Sequence, residues 1–149
     1  MTTVTNTKDP RTELVIAHYE ALNLGTLEAL LSLYADNACF KDPFNDVRGH
    51  RAIRGVFAHM FMTLNAPRFQ ILDAFTEGDQ AFLSWDFTFT RARGQSPMTI
   101  HGATHLRYAD DGRITLHRDY WDAAEELYAK LPVLGVLIRA LQRRLRAPG

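Results

Sequence analysis

Two stretches late in the chain place a threonine, a histidine and an aspartate at alternate positions among apolar or small residues. Ile100, Gly102 and Thr104 form one set, and His117, Asp119 and Trp121 the other. Residues two apart on a strand share a face, so each set belongs to one face of its strand. The stretches meet at Asp110-Asp111-Gly112. A two-residue turn at Asp110-Asp111 and a four-residue loop from Ala109 to Gly112 give the same pairing. Gly102 then lies opposite Asp119, Thr104 opposite His117 and Ile100 opposite Trp121. A three-residue loop with a glycine bulge would shift this by one and undo it. In the unshifted register Asp119 stands beside a residue with no side chain, His117 is placed to orient or protonate, and Trp121 forms a wall. Carboxylates and a histidine in an apolar cup are material for general acid–base chemistry.

Other chemistries find little support. His101 and His105 share a strand face, but four residues of strand span about 13 Å, too far for one metal ion. There is no HExxH, CxxC, GxSxG or P-loop pattern. No metal and no cofactor are expected. An epoxide hydrolase needs an arginine between two acids around a water. Asp42, Asp119 and an arginine could supply that, although no Arg-x-Asp pair lies on one strand.

These residues need elements to position them. Asp9-Pro10 reads as a helix cap and first helical position. Leu14, Ala17, His18, Ala21 and Leu22 follow at helical spacing. Gly25 ends that helix, and Thr26 caps a second carrying Leu27, Leu30, Leu31 and Tyr34. Ala38 to Asp42 reads as a short strand stopped by Pro43. Gly49 precedes a third helix with Ile53, Val56, Phe57, Met60, Phe61 and Leu64 on one stripe. After Pro67 the period changes to two. Strands follow at 69–75, 81–90, 99–108 and 113–121, with turns at Glu77-Gly78-Asp79 and Gly94–Pro97. Asp122 caps a last helical region with Glu125 placed for a capping box, and Pro132 breaks or kinks it. Helices gathered on one face of an antiparallel sheet make an α+β fold.

The stretch HYEALNLGTLEALLSLYADNACFKDP resembles the opening of the NTF2-like superfamily, which includes ketosteroid isomerases, SnoaL-like polyketide cyclases and limonene epoxide hydrolases. GHRAIRGVF before the third helix and THLRYADDGRI before the last strand add to the likeness, which covers roughly residues 11 to 121. It implies a cone-shaped fold, a curved antiparallel sheet with helices on its concave face, here with an extra C-terminal helix. It also implies a pocket for a small hydrophobic molecule. Asp42 falls where ketosteroid isomerases keep their base, opposite an oxyanion hole of a tyrosine and a protonated acid. At those two donor positions this sequence has His18 and Thr104; Tyr19, next to His18, would point about 100° away. Phe57 and Phe61 would supply apolar wall. The resemblance and the residues together point to a cofactor-independent isomerase or cyclase acting on a carbonyl compound. A carrier domain without chemistry and an epoxide hydrolase-like water addition are the alternatives.

Composition sets the frame. A chain of 149 residues, 46% apolar and 23% charged, suits one domain with one core. Seventeen basic residues balance seventeen acidic ones, giving no general reason to expect nucleic acid as partner. Cys39 is the only cysteine and reads as a small buried hydrophobe. Residues 1–8 are polar, lack the apolar run of a secretory signal and read as a flexible tail; 9–149 form the domain, with a helical extension from about 122. No apolar run approaches the ~18 residues of a membrane span, so a cytoplasmic protein without stable membrane insertion is expected. The extension has an apolar stripe from Leu131 to Leu145 with Arg139, Arg143, Arg144 and Arg146 among it. Such a helix usually packs on its own domain or on a dimer mate. Phe82, Leu116 and Tyr120 would lie on the outer sheet face, where a homodimer is expected.

Overall fold

A computed structural model describes residues 8–147; the expected tail, Lys8 apart, lies outside the described residues. Helix α1 (Pro10–Glu20) starts as its sequence dictates: the Asp9 carboxylate accepts from the Arg11 amide at 3.0 Å, and Pro10 occupies the first turn. Its buried face is Thr12, Val15, Ile16 and Tyr19. This is one residue, about 100°, out of phase with the stripe through Leu14, Ala17 and His18. Both stripes have helical spacing. Val15, Ile16 and Tyr19 bury more apolar surface than a stripe holding two alanines, so their face takes the core and Leu14 is left 47% exposed.

Helix α2 (Leu27–Leu31) is short, and strand β1 (Tyr34–Lys41) follows it almost at once. Tyr34 is thus the first residue of a strand rather than part of a helical stripe. An unexpected edge strand, β2 (Asp46–Arg48), folds back on β1. Gly49, at φ 88°, turns the chain into α3 (His50–Thr63). Then come β3 (Asn65–Glu77), β4 (Gln80–Thr90), β5 (Met98–Tyr108) and β6 (Ile114–Tyr120). The six strands form one curved, unclosed sheet in the order β2-β1-β6-β5-β4-β3. All neighbours are antiparallel except β1 and β6, which run parallel with Phe40 opposite His117 and Lys41 opposite Arg118. The core between helices and sheet includes Leu30, Leu31, Tyr34, Phe40, Ile53, Leu106 and Ile114, each under 3% exposed.

The β5–β6 hairpin departs from the expected register by two residues. Thr104 lies opposite Asp119 and Leu106 opposite His117. Two local features each add one residue. Ala109 and Arg113 close a loop around Gly112, which sits at φ 83°, and a second irregularity falls between the pairs Tyr108–Ile114 and Arg107–Leu116. Either shift alone would turn Asp119 to the outer face; together they restore parity.

Asp122 caps α4 (Ala123–Glu126), accepting from the amides of Ala124 and Glu125. A 3₁₀ turn (Tyr128–Lys130) leads into α5 (Pro132–Leu145), in which Pro132 is the first residue rather than a kink. Gly135 is the only fully buried residue of α5 among the described ones. Val133, Leu137, Leu141 and Leu145 are 49–86% exposed, so the apolar stripe does not pack on the rest of its own domain. Among the described residues no helix is long and apolar enough to cross a membrane.

Candidate functional site

β6 turns His117 and Asp119 inward, β5 brings Thr104 opposite Asp119, and β4 brings Trp85 alongside. These four side chains are hydrogen-bonded in series. The Trp85 indole N–H donates to Thr104 Oγ1 at 2.7 Å, and the Thr104 hydroxyl donates to Asp119 Oδ1 at 2.5 Å. His117 Nε2 lies 2.7 Å from the same Oδ1. On the far side of the ring, Nδ1 is 2.8 Å from the Tyr34 hydroxyl and 3.2 Å from that of Tyr19, and the two hydroxyls are 2.6 Å apart. A neutral imidazole protonated on Nε2 satisfies every donor: Nε2–H gives to Asp119, Tyr34 gives to Nδ1, and Tyr19 gives to Tyr34. Burial pushes both phenols well above their ordinary range, and the negative charge of Asp119 adds to this. Tyr19 and Tyr34 therefore act as neutral donors, not as bases.

The series ends on a cavity. Asp119 lines a volume of about 330 Å³ whose walls include Phe40, Phe57, Phe69, Phe87 and Trp121. That size lies at the small end of ligand pockets. Behind Asp119 a chamber of about 20 Å³ is lined by Tyr19, Thr104 and His117 among apolar side chains. It has room for a single water. The two spaces share Phe69, Trp85 and Asp119 as their common wall. Both hydrogen bonds to Asp119 end on Oδ1, so Oδ2 carries none from the described residues. The Asp119 side chain is 14% exposed, against 2% for His117.

The other residues singled out in the sequence fare unevenly. Asp42 lines the large cavity one residue past the end of β1, just beyond the last β1–β6 pair, Lys41 with Arg118, and so near Asp119. Its carboxylate is committed to a turn, accepting from the amides of Phe44 and Asn45 and from Asn45 Nδ2. His18 does not reach the cavity; its Nδ1 bonds the Leu14 carbonyl at 2.8 Å. Tyr19 takes the inward position through the phase change in α1. Thr104 cannot polarise a ligand as expected, because its one proton goes to Asp119. Phe57 and Trp121 line the cavity, whereas Phe61 packs on the core outside the lining. Gly102 makes room for Trp85 rather than for Asp119: a Cβ there would collide with the six-membered ring of the indole. Among the described residues no cluster of three metal-ligating side chains exists.

Tyr19, Tyr34 and the bond from Trp85 went unread in the sequence. The one available signal was the larger volume of the Val15-Ile16-Tyr19 stripe. Gly102→Ala should displace the indole, break its bond to Thr104 and destabilise the protein by about 1–3 kcal/mol, read by thermal unfolding. A loss under 0.5 kcal/mol, as an order-of-magnitude bound, would mean that the indole has another seat. The raised tyrosines also set a pH dependence. In the unfolded chain they lose protons near pH 10, while in the fold they keep them. Stability should be full below about pH 10 and fall above it by ~1.4 kcal/mol per pH unit for each tyrosine. Replacing Tyr19 and Tyr34 together by Phe should reduce that alkaline slope in unfolding curves taken from pH 8 to 11, leaving the part set by Tyr108, whose phenol burial also raises.

A curved sheet roofed by helices over an acid-lined cavity places the protein among the NTF2-like, ketosteroid isomerase-like folds. The chain belongs to the SnoaL-like domain family, whose model matches residues 15–117. A protein of ketosteroid isomerase-like fold from Catenulispora acidiphila, solved with trimethylamine, is 22% identical with a TM-score of 0.71, covering 85% of this chain and 96% of that one. SalBIII, an epoxide hydrolase/cyclase-like enzyme in pyran ring formation in the polyether salinomycin, is 18% identical with a TM-score of 0.65, over 75% and 90%. TerC, co-crystallised with polyporic acid, is 19% identical with a TM-score of 0.68, over 78% and 95%. No curated protein is similar enough in sequence to match.

Proposed function

We propose that this SnoaL-like protein is a cofactor-independent enzyme of isomerase or cyclase type, moving a proton on a small hydrophobic carbonyl compound held in the large cavity. Asp119 carries the reading: one oxygen is anchored by Thr104 and His117, and the other accepts from none of the described residues and borders the aromatic-walled cavity. In this mechanism Oδ2 takes a proton from the carbon beside the carbonyl, and the C–H electron pair moves toward the carbonyl oxygen to give an enolate. The enolate then regains the proton at another carbon, or closes a ring by attacking a second carbonyl carbon of the same molecule, whose C=O π pair moves to its oxygen and takes the proton back from Asp119. His117 and the tyrosines behind it hold Asp119 in place. The ring-forming activity of SalBIII and the bound ligand of TerC support a small-molecule role on this fold.

Water addition of the epoxide hydrolase type is the second reading. It is favoured by the nearby carboxylates of Asp42 and Asp119 and by the water-sized chamber behind Asp119. One experiment separates these from a carrier without chemistry. Mass spectrometry of an extract of the purified protein identifies the bound compound, which is then returned to the protein in D₂O. Deuterium beside its carbonyl, absent with Asp119→Asn, supports proton transfer. Oxygen-18 uptake from labelled water supports hydrolysis. Release of an unchanged compound leaves the carrier reading.

We place the protein in the cytoplasm, where its single half-buried thiol, Cys39, would stay reduced. We also propose a homodimer through the outer sheet face, where Phe75, Phe82 and Tyr120 are 59%, 41% and 49% exposed. Phe82 stacks on both Phe75 and His105 there, giving a flat aromatic surface. Light scattering should give twice the 16.9 kDa chain mass, and a stable 16.9 kDa particle at micromolar concentration would rule the dimer out.

A further inference from the structure

The inner face of β4 carries Leu83, Trp85, Phe87 and Phe89, all buried, and the next residue of that parity is Arg91, just past the strand end. Arg91 lines the large cavity and is solvent-exposed, so it stands at the rim. Its backbone is held by Asn65, whose Nδ2 donates to the Arg91 carbonyl at 3.2 Å. Among the described residues its guanidinium has neither ion pair nor hydrogen bond. His59 and Thr63, one turn apart near the end of α3, line the same cavity. Asp42 and Asp119 lie toward the other end: Asp119 is level with Thr104 and Leu83, eight residues along β4 from Arg91. At about 3.3 Å per residue that is roughly 26 Å of strand path, shortened across the curved sheet. The cavity therefore has two carboxylates at one end, an aromatic middle and a cation at the rim of the other end; the carboxylate end also borders a second, open space lined by Lys41 and Arg118.

We propose that the ligand is an organic acid: an apolar body ending in a carboxylate that pairs with Arg91, entering with its reactive end toward Asp119. This rests on the reading of the cavity as the ligand site and adds the polarity of its occupant. Within the cavity the carboxylates at the far end repel an anion while Arg91 attracts it, which fixes the direction of binding. A guanidinium meets a carboxylate through two parallel N–H bonds, so Arg91 acts as a specificity residue and not in the chemistry.

The probes that test this are 4-(4-phenylphenyl)butanoate and its neutral amide, identical in shape and differing in charge. Both tryptophans of the chain, Trp85 and Trp121, line the cavity, so their two indole N–H resonances report its occupancy. Titrated by NMR, the intact protein should bind the acid about three- to fivefold more tightly than the amide, as a partly exposed ion pair allows. Arg91→Gln should bring the ratio close to one while leaving the amide affinity within about twofold, and Arg91→Lys should keep much of the preference. An acid preference absent from the wild type, or undiminished in Arg91→Gln, would overturn the organic-acid inference and leave the proton-transfer reading standing. Failure of both probes to move either indole signal would overturn the cavity reading and this inference together.

Discussion

Asp119→Asn should lower turnover of the true substrate by two to four orders of magnitude, the usual worth of a positioned general base. The substitution is close to isosteric, and the asparagine carbonyl can still accept from Thr104 and His117, so the fold should be kept. What disappears is the basic second oxygen. Asp42→Asn is the informative partner. An asparagine carbonyl keeps the turn that now accepts from the amides of Phe44 and Asn45, so turnover should fall less than about tenfold. Single-turnover kinetics of both variants decide the assignment. A larger loss from Asp42→Asn than from Asp119→Asn would transfer the role of base to Asp42.

The second large effect is on stability. His117 is 2% exposed and bridges a carboxylate to two buried hydroxyls. His117→Leu fills much of the same volume but leaves Asp119, Tyr34 and Tyr19 short of partners in an apolar interior. Removing one member of a buried polar network costs about 3–5 kcal/mol when a charge is left behind. For a chain of this length Tm should drop by roughly 10 °C or more. Tyr19→Phe removes only the outermost hydroxyl and should cost about 1 kcal/mol. Equal losses from the two variants would mean that the series is not cooperative. The double variant Tyr19→Phe with His117→Leu should lose less than the sum, because one partner is then no longer orphaned.

The two variants probe the part of the protein least visible in its sequence. The helix that carries Tyr19 was legible in its start, its length and its spacing, but not in its phase. Two overlapping stripes were available, and the choice between them fell to the helix and strand surfaces that α1 meets. Tyr34 sits where a short helix gives way to a strand. Leu30 and Leu31 before it and Ala38 and Phe40 after it are all buried, so hydropathy gives no boundary there.

The hairpin shows the same division at finer scale. Alternation along β6 puts His117 and Asp119 on one face; that Thr104 shares it was read from an assumed register, and it holds because the two one-residue shifts cancel in parity. Parity is a local property of each strand; register is not. It depends on the loop at Gly112 and on the irregularity beside Thr115, and nothing in the local pattern specifies both. The neighbour of Asp119 is consequently Thr104, and the open space above Gly102 belongs to an indole from β4.

The α+β class, the order of the main elements, the caps at Asp9 and Asp122, and a carboxylate–histidine pair sharing one face of its strand were all legible in the sequence. These follow from spacing and from backbone chemistry within a few residues. The packing of the elements turns that pair inward, joins Tyr19, Tyr34, His117, Asp119, Thr104 and Trp85 in one hydrogen-bonded series, leaves His18 outside it and stands Arg91 at the rim. Those facts join side chains separated by up to about a hundred positions. They are settled by which faces exclude the most water once all the elements pack, a competition that no local window contains.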